Sequence, residues 1–427
     1  MAAAAALKFT VRRRPVVLVS PAAPTPREWK RLSDIDDQDG LRFHMPAVYF
    51  YPRHDVSIVV GGQQDPAPVI SDAIARALVH YYPLAGRLRE LQGRKLAVDC
   101  TGQGVLFVEA DADVRLEHFG KALQPPFPCM EKLLFDVPGS SETLNSPLLF
   151  FQVTRLACGG FILATRMQHA VMDAQGFVQF LGGVAELARG ALAPKVRPVL
   201  ATRRARASRT ASTTMTFELL AGCLWKSRTM ALTTPPEDAS EEMRLIFTVN
   251  ARARNMAGTM GIPKGYYGNA FAMPVAIATA GELRDNPVSY AVEMVRKAKE
   301  EAMGAEYIRS VADLMVLRGR PHFAVARAYL VTDVTKTGLG DLVFGLGQPV
   351  YGGPAMGGVG AIPRVSSFLV KGKNAMDEDG VVAPVCLPAP AMDRFAEEIR
   401  KLLRSPVVVD VPAPQQAGVV PLVMSAL

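Results

Sequence analysis

Between Leu148 and Leu187 the hydrophobic period of this chain changes once, and that change constrains the fold more than any other feature. Leu148 to Leu156 and Phe161 to Met167 are apolar runs of strand length joined through Gly159-Gly160, and they predict a strand pair. Past Asp173, the residues Phe177, Phe180, Leu181, Val184, Ala185 and Leu187 recur at helical spacing. His169 stands where the second strand ends and the helix begins, with Asp173 four residues on. An imidazole at such a junction projects from rigid backbone, as a general base must. Asp173 could orient that ring, or turn away and pair with a buried cation. A two-residue match is cheap in any chain, and by itself it describes an ordinary histidine bonded to backbone.

Composition removes whole classes of function. The chain has 427 residues, 49% of them hydrophobic, enough for two to three domains with true cores. Its net charge of +8 suits nucleic acid, an anionic surface or an acidic substrate. Arg12-Arg13-Arg14 and the set Arg197, Arg203, Arg204, Arg206 and Arg209 do not interleave with aromatics, so nucleic-acid binding is not expected. The second set reads as a solvated linker. A mild positive field would help capture a polyphosphate cofactor. The five cysteines are scattered and form no CxxC pair; this predicts no structural zinc and reduced thiols inside a cell. No apolar run reaches the roughly 18 residues of a membrane helix. His44, His54 and His118 have no partner at metal-ligand spacing, so no metal site is expected, and His80 reads as a packed helix residue. The absence of GxSxG, GxGxxG and GxxxxGK[ST] removes a serine nucleophile elbow and the usual nucleotide loops.

Taken in order, the chain predicts short strands near 7–19 and 48–51, and a helix over 69–82 ended by Pro83. Strands follow around Leu96–Val98 and Val105–Ala110, then the hairpin and helix described above. The stretch 191–213 is Pro- and Arg-rich and separates two halves, 1–190 and 214–427. The second half opens with a helix over Thr216–Leu232, for which Thr216 offers an N-cap oxygen. Strands are expected at Leu245–Asn250, Phe271–Thr279, Val325–Val331, Val365–Val370 and Val381–Leu387, and helices at Ser289–Ala302, Ala305–Leu317 and Met392–Leu403. Strands and helices mix without regular alternation, so the class is α+β, or mixed α/β.

His169-Ala170-Val171-Met172-Asp173-Ala174-Gln175-Gly176-Phe177 resembles the HxxxD motif of the plant BAHD acyl-CoA-dependent acyltransferases. The same family is matched, in order, by Tyr81–Arg87, by Thr216–Leu220 leading to Leu224-Trp225, by Gly265–Ala270 and by Phe344–Gly347. Ser310–Val316 and Tyr351–Pro354 are most similar to its benzyl alcohol benzoyltransferase branch. The resemblance implies two chloramphenicol acetyltransferase-like domains with the active site in a tunnel between them. It implies an acyl-CoA donor and a small alcohol acceptor, with no permanently bound cofactor; the protein is expected to bind neither nucleic acid nor membrane and to be a monomer. It also implies that His169 deprotonates the acceptor, while Asp173 pairs with an Arg for structural reasons. That Arg is Arg252 by position, with Arg254 the second choice. Gly176 falls where bulk would obstruct cofactor or backbone, or is a helix-start glycine of no consequence. Thr216, Gly345 and Gly347 are the implied cofactor-side positions.

Two departures stand out. The crossover at 191–213 is shorter than the family's by roughly three dozen residues, so it is either unusually direct or missing an exon. A dozen extended residues, at about 3.5 Å each, still bridge two touching domains, but they supply no packing surface. The family's DFGWG motif reads Val343-Phe344-Gly345-Leu346-Gly347, without its Asp and Trp; Asp341, were the segment a strand, would share a side with Val343. These departures leave open a rival reading, a degenerate or truncated paralogue that binds ligands or partners without turnover. The terminal Ser425-Ala426-Leu427 is similar to a peroxisomal address.

Overall fold

The structure is a computed structural model that describes residues 7–53, 64–120, 122–139, 142–200, 215–233, 238–252, 262–321, 326–356, 365–374, 376–404 and 422–423. The terminal tripeptide, Arg254 and the four arginines between 203 and 209 lie outside them.

The first half contains strands β1 (Val11–Arg13), β2 (Val17–Val19), β3 (Trp29–Arg31) and β4 (His44–Tyr51), then helix α1 (Pro66–His80). Strands β5 (Arg87–Glu90), β6 (Leu96–Asp99) and β7 (Val105–Ala112), the short helix α2 (Met130–Leu133), strands β8 (Leu149–Leu156) and β9 (Phe161–Gln168), and helix α3 (Ala174–Ala188) follow. Helix α1 starts where the sequence can satisfy a free amide: Asp65 accepts from Ala67 N, and Pro66 takes a position that needs no N–H. Ile70, Ala73, Ile74, Ala77 and Leu78 form its buried face. The main sheet runs β1-β7-β8-β9-β4, with β2 also against β7. β9 pairs with β4 over eight residues and with β8 over seven. Both its faces are covered, so the strand that carries His169 at its end is a fixed support.

The second half contains helix α4 (Met215–Leu232), strands β10 (Glu242–Phe247), β11 (Val249–Asn250), β12 (Phe271–Ala272) and β13 (Val275–Thr279), and helices α5 (Ala280–Asp285), α6 (Val288–Ala302) and α7 (Ala305–Leu317). Strands β14 (Ala328–Asp333), β15 (Tyr351–Pro354), β16 (Ser366–Lys373) and β17 (Asp379–Val382), helix α8 (Ala389–Arg404) and strand β18 (Leu422–Val423) complete it. Its sheet runs β13-β10-β14-β16-β17-β18, with Trp225, Phe247, Val295 and Phe395 in the core beneath. The halves interlock. β15 leaves the second half and pairs antiparallel with β4, completing the first sheet.

Two expectations are corrected and one condition is resolved. Phe271–Thr279 is not one strand: Pro274 has no amide to give a ladder, so β12 pairs with β11 while β13 pairs with β10. Thr216 is not an N-cap, because α4 already begins at Met215; it is an exposed residue inside the first turn. Asp341 is not on a strand but ends a short 3₁₀ turn, Leu339–Asp341, and is exposed. The first residues of the expected linker are also paired, since Val199 exchanges hydrogen bonds with Gly265 O (2.9 Å) and Tyr267 N (3.0 Å).

An ion cluster fastens the two halves at the loop 33–42. Arg320, buried and with a left-handed φ of 58°, donates to Asp37 (3.0 Å), Asp34 (3.2 Å) and Gly93 O (2.7 Å). Lys95 reaches Asp37 at 2.7 Å. Burial raises the Asp37 carboxyl above its ordinary value against the pull of Lys95, so this charge is tolerated only while its cations remain. Arg320→Ala is expected to cost about 3 kcal/mol of stability, the usual loss when one partner of a buried pair is removed. A denaturant melt of both proteins reads it directly.

Candidate active site

The last residue of β9 passes straight into a 3₁₀ turn, His169–Val171, and Asp173 then caps α3. His169 is held in the gap between strand and helix, as the change of period predicts. Its backbone N donates to Phe43 O (2.8 Å), and its ring lies between Phe43 and Phe271, with centroids 5.3 Å and 6.2 Å away. Burial pushes the imidazole below its ordinary value; its own backbone oxygen, Asp173 and Asn269 pull the other way without offsetting that. The resting ring is therefore neutral at pH 7.

Asp173 turns away from the ring. Its Oδ1 accepts from Gly176 N (2.9 Å), and its Oδ2 from Ala270 N (2.9 Å) and Arg252 Nη1 (2.7 Å). Arg252 also donates to Tyr266 O (3.3 Å) and Gly268 O, and lies over the Tyr266 ring. The carboxylate thus joins the start of α3 to the segment 266–270 of the second half. Gly176 is where the two backbones touch. A Cβ built on it would sit 1.8 Å from Tyr267 O. The obstruction expected there is of backbone.

A cavity of ≈ 540 Å³ opens between the halves in front of His169. Phe43, Met45, Phe271, Met273, Leu330 and Phe368 make it largely apolar; Gln38, Thr332 and Asp333 add polar edges. Of the expected cofactor-side positions, none lines it. Thr216 is exposed on α4, and Gly345 and Gly347 occupy left-handed backbone (φ 83° and 101°) in a loop whose Phe344 and Leu346 are buried. Tyr51 Oη donates to Leu342 O (2.8 Å) and Arg189 to Val343 O, so that loop is anchored without the motif's Asp and Trp. Among the described residues there is no cluster suited to a metal ion, and no helix is long and apolar enough to cross a membrane.

Sequence reasoning missed Asp36. Fully buried, it accepts from Ser33 N (2.9 Å) and Oγ (2.7 Å) and from Asn269 N (2.9 Å) and Nδ2 (2.8 Å). Burial raises it to about 6, against those hydrogen bonds. Asn269 Nδ2 also donates to His169 O (2.8 Å). The available signal was the density of acids in 33–39: four aspartates in so short a stretch of a mostly apolar chain need partners.

Comparison with known proteins identifies the family. The model of the Transferase family matches residues 7–213 and 200–402. The chain is 50% identical to benzyl alcohol O-benzoyltransferase of Nicotiana tabacum over 452 aligned positions, covering 95% of this chain and 96% of that one. Identity to the Petunia hybrida protein of the same name is 49%, with the same coverage, and to alcohol acyl transferase 2 of Malus domestica 43%, covering 93% and 95%. In fold it is similar to vinorine synthase (TM-score 0.70, 20% identity, 92% and 98% covered) and to F. sporotrichioides TRI101 complexed with coenzyme A and T-2 (0.61, 15%, 88% and 98%). Fold and comparisons together define an acyltransferase. The chain belongs to the Transferase family, the BAHD acyltransferases. The tobacco alignment is longer than this chain's 427 residues, so that relative carries stretches with no counterpart here, and the family match divides at the short crossover.

Gly176→Ala is expected to drive α3 from Tyr267 and break the Asp173 junction. Loss of about 3 kcal/mol, at the upper end for overpacking, should appear in thermal or denaturant melts.

Proposed function

We propose that this acyltransferase moves an aromatic acyl group, benzoyl being the first choice, from coenzyme A to a small alcohol such as benzyl alcohol. The observation that carries the proposal is a buried imidazole at the wall of an apolar cavity between the lobes. Acyl transfer from a thioester needs a base for the hydroxyl proton and a site that keeps water from the activated acyl group. His169 supplies the first, and the aromatic and methionine side chains around it supply the second.

In this mechanism Nε2 of His169 takes the hydroxyl proton as the alcohol oxygen attacks the thioester carbon. The C–O bond forms, the C–S bond breaks, and the proton passes from the imidazolium to the leaving thiolate. Ester and free CoA result, with no acyl group on the protein. Asp173 and Arg252 take no part in the proton transfer; they hold the junction that aims the ring. Gly176 lets that junction close. The Gly345–Gly347 loop and the region of Thr216 are the proposed CoA side. The benzoyl and benzyl alcohol choice rests on the names of the tobacco and petunia relatives and on the aromatic lining.

With benzoyl-CoA and benzyl alcohol the purified protein is expected to release free CoA, measured with a thiol reagent. His169→Ala should lower that rate by about 10² to 10⁴, the usual worth of a positioned base. No release from any of a panel of aromatic and aliphatic acyl-CoAs would refute the proposal. The pH profile has a definite sign. The base acts when neutral, and burial lowers its pKa, so kcat/KM should lose its acid limb below the ordinary histidine value of 6.5. A limb above that value contradicts a desolvated base.

A further inference from the structure

Resting on the reading of His169 as the base, we infer that Asn269 is a positioning residue that holds the His169 proton on Nδ1, and that Asp36 fixes the Asn269 amide for that task. The inference begins with two buried polar atoms. His169 Nδ1 and Asn269 Oδ1 both lie out of contact with solvent, and neither has a hydrogen-bond partner. Each is what the other lacks, since a neutral imidazole carries one N–H and an amide oxygen accepts. The two residues are already joined at a second point, because Asn269 Nδ2 donates to the backbone oxygen of His169 at 2.8 Å. The Asn269 side chain is also among the groups that act on the His169 ring.

The orientation of the amide follows from its partners. Asp36 Oδ1 at 2.8 Å from Nδ2 is an acceptor, and so is His169 O. Both must face the NH₂ end, which leaves Oδ1 as the atom turned elsewhere. Asp36 also accepts from the Asn269 backbone N at 2.9 Å, so one carboxylate oxygen grips main chain and side chain together. Its other oxygen is held by Ser33 N and Oγ. The amide is thereby prevented from flipping. The catalytic consequence is a choice of tautomer. Only with the proton on Nδ1 does Nε2 present a lone pair to the alcohol. A hydrogen bond that is long in the empty site and tightens when substrate closes the cavity is ordinary for a catalytic pair. The chain from Asp36 through Asn269 to His169 also crosses the two halves, so the base is set correctly only when they are together.

Selective ¹⁵N-histidine labelling of the full chain tests this, with His169→Gln assigning the signal among six histidines. In the wild type above its pKa, the His169 ring should show a protonated Nδ1 and a bare Nε2. In Asn269→Ala the pattern should become a mixture of tautomers, and kcat with benzoyl-CoA and benzyl alcohol should fall by about 10², with KM for benzoyl-CoA changed by less than about two-fold. Asp36→Ala should do the same, and Asp36→Asn, which keeps an acceptor for Nδ2, should recover most of both signals. A proton on Nε2 in the wild type would overturn the inference. So would an Nδ1–H that survives Asn269→Ala, because the ring's own carbonyl would then be the holder. If Asn269→Ala fails to fold, the wild-type and Asp36→Asn spectra decide. If the tautomer pattern holds but no acyl-CoA is turned over, the fault lies with the acyl-transfer reading alone.

Discussion

The Asp173 carboxylate is the point on which the rest of the structure depends. It is buried, and a buried anion is tolerated only when donors surround it. Here the donors come from three places: the first turn of α3, the backbone at Ala270 and the guanidinium of Arg252. Two of these belong to the second half of the chain. One side chain therefore caps a helix, closes the lobes and fixes the turn from which His169 projects. Removing it would leave Arg252 with two carbonyl contacts and an unmatched charge, and the segment 266–270 would lose its hold on α3.

Around that junction the chemistry is divided between backbone and side chain. The imidazole is kept neutral by exclusion of water. Its main chain is gripped from the first half through Phe43 and from the second through Asn269. The cavity wall is built from both sheets, so neither half alone has a site.

Much of this was legible in the sequence because it is local. The strand–turn–helix change of period located His169 to the residue; Arg252, 79 positions from Asp173, came only from the family resemblance. Glycine at 176 was readable only as a place where bulk fails; that the neighbour is Tyr267 O depends on a contact between residues 91 apart in the chain, which no periodicity encodes. Asp36 was signalled only by the density of acids around it, and its partner, like those of Arg320, lies too far along the chain for a local pattern to name. Their loops look polar and solvated, yet both residues are buried against each other's halves. The break at Pro274 was misjudged because apolar residues flank it on both sides. Thr216 was misplaced as a cap by two residues, within the ordinary spread of helix ends. The Gly345–Gly347 loop is ordered without the motif's Asp and Trp, through left-handed backbone at both glycines and burial of Phe344 and Leu346.

The strand Tyr351–Pro354 carries one more implication, for biogenesis. β4 is complete once residue 51 has been synthesised, but its outer hydrogen-bonding edge waits for residues some 300 further along. A nascent first lobe leaving the ribosome at about 5–20 residues per second presents an unpaired, apolar sheet margin for many seconds. Such a margin invites self-association, and long-range pairing of this kind is slow. The first sheet therefore stays incomplete through most of synthesis, and its outer edge closes only when the late strand arrives.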